Sequence, residues 1–226
     1  MLLAEDGRPA GLTWHYTRRE MVADGVVHFL GVAFGLAGAI AIVMQAAMSP
    51  LALAERASVV VYAAALVSML GVSATYNMWP VGRRKWLLRR ADHALIYLMI
   101  AGTYTPLVAL VGNGTTAWAL LAAVWLMAGI GIALKLLLPG RFDRAAIGLY
   151  LLLGWSGVIA YGSVIARLPS NALWLLAIGG LLYSFGVVFH VWRSLPYQNA
   201  IWHAFVLAAT ACHYGTVLIC VLGAGA

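Results

Sequence analysis

Two pairs of polar residues sit at helical spacing inside otherwise apolar sequence. Ser73 and Asn77 are four residues apart, and so are Asn199 and His203; on a helix each pair projects from one side. Asp92-His93, His28, His190 and His213 are further ionisable groups inside or at the ends of apolar runs. In hydrocarbon such groups are costly, so they face a bundle interior or water and find partners. Gathered at one depth they would form a polar pocket able to hold the head group of a lipid, with its chain between apolar helices.

The elements that must position these residues are membrane helices. Of the 226 residues, 64% are hydrophobic and only 9% charged, whereas a soluble domain carries about a quarter charged residues. Seven apolar stretches, each near the ~20 residues a spanning helix needs, run from Met21 to Ala47, Leu53 to Trp79, Ala91 to Val111, Thr116 to Leu138, Ala145 to Ile165, Ala172 to Trp192 and Ala200 to Leu222. Breakers or charges fill the gaps, among them Ser49-Pro50, Pro80, Gly112-Asn113-Gly114, Pro139-Gly140 and Pro196. No gap is long enough for a soluble domain. The expected fold is an all-α membrane protein, a seven-transmembrane helix bundle, with residues 1–20 as a cytosolic N-terminal segment and 21–226 as one transmembrane domain. Glu5, Asp6, Arg8, Arg18, Arg19 and Glu20 precede any apolar core, which argues against a cleavable signal.

Charge sets the orientation. With the N-terminus in the cytosol and the C-terminus outside, all of the 14 Lys and Arg except Arg56 and Arg167 fall on the cytosolic side. The formal charge of +7 is therefore topological, scattered in short gaps rather than along one face, and no nucleic-acid partner is expected. In this orientation His28 lies about two turns into the first helix, and Ser73 and Asn77 in the last two turns of the second. Asp92 opens the third helix, His190 ends the sixth, and Asn199 and His203 begin the seventh. Five helices thus place polar groups in one layer near the cytosolic face. His213 sits deeper, about 15 Å beyond His203 at ~1.5 Å per residue.

Simpler readings stand beside this one. Asp92 could be a dipole-favoured N-terminal acid paired with Arg89 or Arg90, and His93 and His190 could be snorkelling or capping residues. The two polar pairs could be ordinary interhelical bonds worth roughly 1 kcal/mol each. Cys212 and Cys220, about 12 Å apart on one helix, are too distant for a disulfide. Gly31, Gly35 and Gly38 offer a small-residue face for close packing.

At these positions the sequence resembles the hemolysin III family, the bacterial branch of the progestin and adipoQ receptor group. Glu20 and His28-Phe29-Leu30-Gly31 look like its opening block. The run Asp92-His93-Ala94-Leu95-Ile96-Tyr97 through Ala101-Gly102-Thr103-Tyr104-Thr105-Pro106 is close to a family signature. Ile201-Trp202-His203-Ala204-Phe205-Val206 with His213 matches its closing block. The resemblance implies a zinc site on the cytosolic side. Its ligand positions are Asn77, Asn199 and His203 here, with Asp92 acting through a water and Ser73 as the accompanying serine. Two of the three implied histidines are asparagine, a poor zinc ligand.

The expected site is therefore a metal-free pocket of Ser73, Asn77, Asp92, Asn199, His203 and His28, in a multi-pass protein of the cell membrane (the inner membrane of a bacterium). Its expected partner is a membrane lipid and its expected role lipid binding or sensing, with no cofactor; a weakly held cation on Asp92 and amide oxygens is the second reading of the pocket. One alternative is a zinc-dependent hydrolase of lipid amides, with Asp92 and Ser73 in the catalytic roles and His203 as the remaining metal ligand. A pore-forming cytolysin is the other.

Overall fold

A capping box starts the first helix three residues before the apolar run. The Thr17 N–H donates to Glu20 Oε2 at 2.8 Å, and the Glu20 N–H donates to Thr17 Oγ1 at 3.3 Å. The computed structural model describes residues 16–224 apart from 139, 141, 161 and 163, so the acids and bases expected to exclude a signal at Glu5, Asp6 and Arg8 lie outside the described residues. Among the described residues there is no strand, and seven α-helices follow one another: α1 Arg18–Met48, α2 Leu53–Met78, α3 Arg83–Val111, α4 Gly114–Leu137, α5 Asp143–Trp155, α6 Ser170–Val191 and α7 Gln198–Gly223. Six of them are long and apolar enough to cross a membrane. This is a multi-pass membrane protein, and its exposed Phe29, Phe34, Leu137 and Trp174 suit a surface bathed in lipid.

Consecutive helices pack as neighbours from α1 to α4, α6 packs along α7, and α7 returns to pack on both α1 and α3. The seam between α1 and α2 depends on small residues. Leu70 fills the hollow left by Gly35, where an added Cβ would collide with it. Gly31 faces Leu70 and Leu207, and Gly38 faces the ring of Tyr214, whose hydroxyl donates to the Gly38 carbonyl at 3.0 Å. The expected glycine face of the first helix is therefore the one on which α2 and α7 approach closely. Ile42, Val59, Tyr62, Leu66 and Val217 fill the core beside it.

Three helices depart from expectation by three residues or more. The first is the start of α1 at Arg18. The second is α3, which begins at Arg83, not Ala91, so residues expected in a loop are helical. One of their charges is satisfied locally: the buried Lys85 Nζ donates to the carbonyls of Tyr76, Asn77 and Trp79, each at 2.9 Å. Those carbonyls include the unsatisfied end of α2, so one ammonium closes that helix. The third is α5, which has 13 residues and continues as a 3-10 turn over Ser156–Ala160. About 20 Å of α-helix and about 10 Å of 3-10 turn together approach a ~30 Å hydrocarbon thickness. The break is tolerated because Tyr104 of α3 serves it: its hydroxyl accepts from the Gly157 N–H at 2.7 Å and lies 2.9 Å from the Gly154 carbonyl as donor.

Candidate polar site at the basic end of the bundle

The centre of the site is Asp24, a carboxylate on the first helix only 4% exposed. It lies four residues before His28, so both project from one side of α1. His203 Nδ1 approaches Asp24 Oδ1 at 2.7 Å, joining α7 to α1. The Asn199 amide donates to Asp24 Oδ2 at 2.8 Å and to Asn77 Oδ1 at 2.9 Å, which adds α2. The Asn77 amide donates to the Ser73 carbonyl at 2.9 Å and lies 3.4 Å from His28 Nε2. His28 Nδ1 donates to the Asp24 carbonyl at 2.8 Å, and its ring meets that of His203 edge-on at 4.3 Å between centroids. Ser73 Oγ stands 3.4 Å from His28 Nε2. Asp92 of α3 lies near Ser73 and His203.

Five of the six residues expected in the site, Ser73, Asn77, Asn199, His203 and His28, thus share one network with Asp24, and Asp92 lies beside it. His93 and His190 stay outside its hydrogen bonds; His190 packs its ring against Trp202 at 4.8 Å. His213 lies apart, tilted against Tyr183 at 5.5 Å. The reading of Asp92 as an N-terminal acid fails on its position. Asp92 stands in the third turn of α3, not at its N-terminus, and Arg89 is engaged with Asp143 at 2.9 Å. Lys135 also reaches Asp143, at 2.6 Å. Burial opposes ionisation of Asp143, yet the Arg89 and Lys135 charges hold its carboxyl down at about 2.

Asp24 was not read from the sequence as a site residue. The signal was present: it is a carboxylate four residues before a histidine, the same spacing that singled out the other two pairs. Its nearness to Arg18, Arg19 and Glu20 made it look like part of the charged approach to the helix.

The cavity beside this network is small. It measures about 10 Å³, and Asp24, Asn77 and Asn199 form its inner wall, with Tyr16, Glu20 and Tyr197 at its rim. That is about the space one water needs, well short of the head-group pocket expected. Glu20 Oε1 accepts from the Tyr197 N–H at 2.9 Å, which holds α1 and α7 together at the mouth.

The zinc ligands that the family resemblance implied do not fit the metal here. Asn77 and Asn199 spend their amides on each other, on Asp24 and on Ser73, and a neutral amide is a weak partner for zinc. A different trio is better equipped: one ligand atom from each of Asp24, His28 and His203 lies within 4.8 Å of the others.

Fold and site together define a polytopic helical membrane protein with a buried carboxylate, imidazole and amide cluster at one end of its bundle. The chain belongs to the family described as Haemolysin-III related, whose match runs over residues 16–214. It is 33% identical to Hemolysin-3 of Bacillus cereus over 90% of this chain and 93% of that protein. It is 32% identical to the Hemolysin-3 homolog of Bacillus subtilis, over 90% and 95%. The human Monocyte to macrophage differentiation factor is 31% identical over 71% of this chain and 68% of its own length. No solved structure matches the chain.

Proposed function

We propose that this hemolysin III-like membrane protein binds or senses a membrane lipid through the cluster around Asp24, with its N-terminus and basic end in the cytosol and its C-terminus outside. The observation that carries this is the Asn199 amide, which bridges Asp24 and Asn77 and so links α7, α1 and α2 through hydrogen bonds a head group can replace. A lipid phosphate, hydroxyl or amide offers the same donors and acceptors. Met21 and Met78 also line the cavity, and their flexible thioethers can give way to a larger guest. The closed cluster is then the resting state, and a head group opens it by parting α1 from α7 at Glu20 and Tyr197.

Mass spectrometry of lipid co-purified with the protein from its membrane tests this. One lipid class should be enriched with the unaltered protein and lost on Asn199→Leu, in a variant that still elutes as a folded species. Unchanged lipid content would overturn the reading.

Hydrolysis of a lipid amide is a second reading, supported by Ser73 Oγ at 3.4 Å from His28 Nε2. His28 is held by its other nitrogen, as a base beside a hydroxyl nucleophile should be. Release of fatty acid from an N-acyl lipid, abolished by Ser73→Ala, would favour it over binding alone. The lytic name belongs to the Bacillus cereus relative. In this chain the described buried charges Asp24, Lys85, Arg89 and Lys135 are engaged with partners rather than lining a passage.

A further inference from the structure

We propose that Asp24, His28 and His203 form a divalent transition-metal site of their own, in which Asn77 and Asn199 orient the ligands instead of serving as them. The inference goes beyond the lipid reading and stands or falls separately from it.

A carboxylate and two imidazoles are a sufficient donor set for zinc and its neighbours, with a position left for water. Their placement is specific. Asp24 and His28 share a face of α1, and His203 comes from α7 to meet them. With bonds of about 2.0–2.2 Å, tetrahedral ligand atoms stand about 3.3–3.6 Å apart. The trio lies within 4.8 Å, so its longest separation needs to close by at most about 1.2–1.5 Å, within reach of side-chain torsions. Asp24 Oδ1 is already 2.7 Å from His203 Nδ1.

The surroundings fit the role. Because His28 Nδ1 carries the proton toward the Asp24 carbonyl, Nε2 keeps its lone pair. A ligating histidine is almost always held this way through its other nitrogen. That lone pair receives only Ser73 Oγ and the Asn77 amide, both at 3.4 Å, longer than a good hydrogen bond to nitrogen. The Asn199 amide holds Asp24 Oδ2 at 2.8 Å and leaves Oδ1 to turn toward a cation. The carboxylate and His28 are 4% and 7% exposed, and a buried negative charge is strongly stabilised by a bound cation. Metal binding needs the lone pair of His203 Nδ1, so that proton leaves Asp24 Oδ1 to water while Nε2 takes one up, and the ligating ring is neutral. The water-sized cavity against Asp24 can hold the remaining ligand.

The test uses the full chain in detergent, with Co²⁺ as a spectroscopic probe and zinc content measured by mass spectrometry. The unaltered protein should bind one Co²⁺ with the visible bands of a four- or five-coordinate ion. Asp24→Ala and His28→Ala should each weaken binding by about 100-fold or more, the upper end of what even supporting residues cost. Asn199→Ala should weaken it less and leave the bands in place. Should the alanine variants fail to fold, Asp24→Cys decides, because a ligating thiolate adds a sulfur-to-cobalt charge-transfer band that no structural role produces. No binding by the unaltered protein, binding indifferent to Asp24 and His28, or binding by Asp24→Cys without that band overturns the proposal.

Discussion

Asp24 Oδ1 stands 2.7 Å from His203 Nδ1, so a buried carboxylate–imidazole contact joins the first membrane helix to the last. Removing the carboxylate leaves both the His203 Nδ1 and the Asn199 amide without a buried acceptor, at about 1–3 kcal/mol each. Loss of a single interhelical amide bond in a membrane costs only about 1 kcal/mol. Asp24→Ala should therefore lower the thermal stability of the purified protein several times more than Asn199→Ala. Equal losses in a melting experiment would show that the pair contributes no more than the amide beside it.

The helical membrane architecture was legible because hydropathy responds to the bilayer directly. Ser73–Asn77 and Asn199–His203 were legible because helical spacing puts each pair on one face. Spacing says nothing about which other helix meets that face, so the partnership of Asn199 with Asp24 had to come from packing. The start of α3 was hidden for a related reason. Arg83, Arg84 and Lys85 read as loop charges, yet Lys85 is helical and caps α2, a role set by tertiary contact rather than local sequence. The break in α5 was equally hidden, since the residue that permits it, Tyr104, lies about 50 positions upstream.

That dependence on Tyr104 can be tested. Tyr104→Phe removes the acceptor of the Gly157 N–H and the donor to the Gly154 carbonyl. A buried backbone group left unsatisfied costs about 1–3 kcal/mol. Amide exchange over residues 154–160 should accelerate while α3 stays protected. Unchanged exchange there would mean that the hydroxyl does not hold the break.

Close packing at Gly35 gives a second structural test. An added Cβ would strike Leu70, so Gly35→Ala should destabilise by about 1–3 kcal/mol, the range of an overpacked core. Leu70→Ala in the same chain makes room, and the double variant should lose less than the two single changes added together. A strictly additive result in a double-mutant cycle would place the strain elsewhere.

Asp143 carries a pH prediction. Although burial raises its pKa, Arg89 and Lys135 bring it down to about 2 from the ordinary 3.8. A depressed carboxylate stabilises the folded state fully above its unfolded pKa, and that contribution is lost as pH falls through the folded value. The stability gap between the unaltered protein and Asp143→Asn should hold constant from pH 8 to about pH 5 and shrink between about pH 4 and pH 2. A gap that persists unchanged at pH 2 would exclude the carboxylate's charge as its source.

Asn77 and Asn199 touch across 2.9 Å, and Asn199 stands four residues before His203. Changing both asparagines to histidine would set two more imidazoles around the carboxylate of Asp24, beside His28 and His203. Imidazole is a far stronger zinc ligand than an amide, so the variant carrying Asn77→His and Asn199→His should bind zinc at least about tenfold more tightly than the unaltered chain, a gain of ~1.4 kcal/mol. The gain does not depend on whether Asp24, His28 and His203 already hold a metal, because it is read as a difference between the two proteins. Zinc titration against a competing chelator, with elution and melting as controls of folding, measures it. A folded double variant with unchanged affinity would mean that these two side chains, adjacent as they are, do not turn toward a common centre.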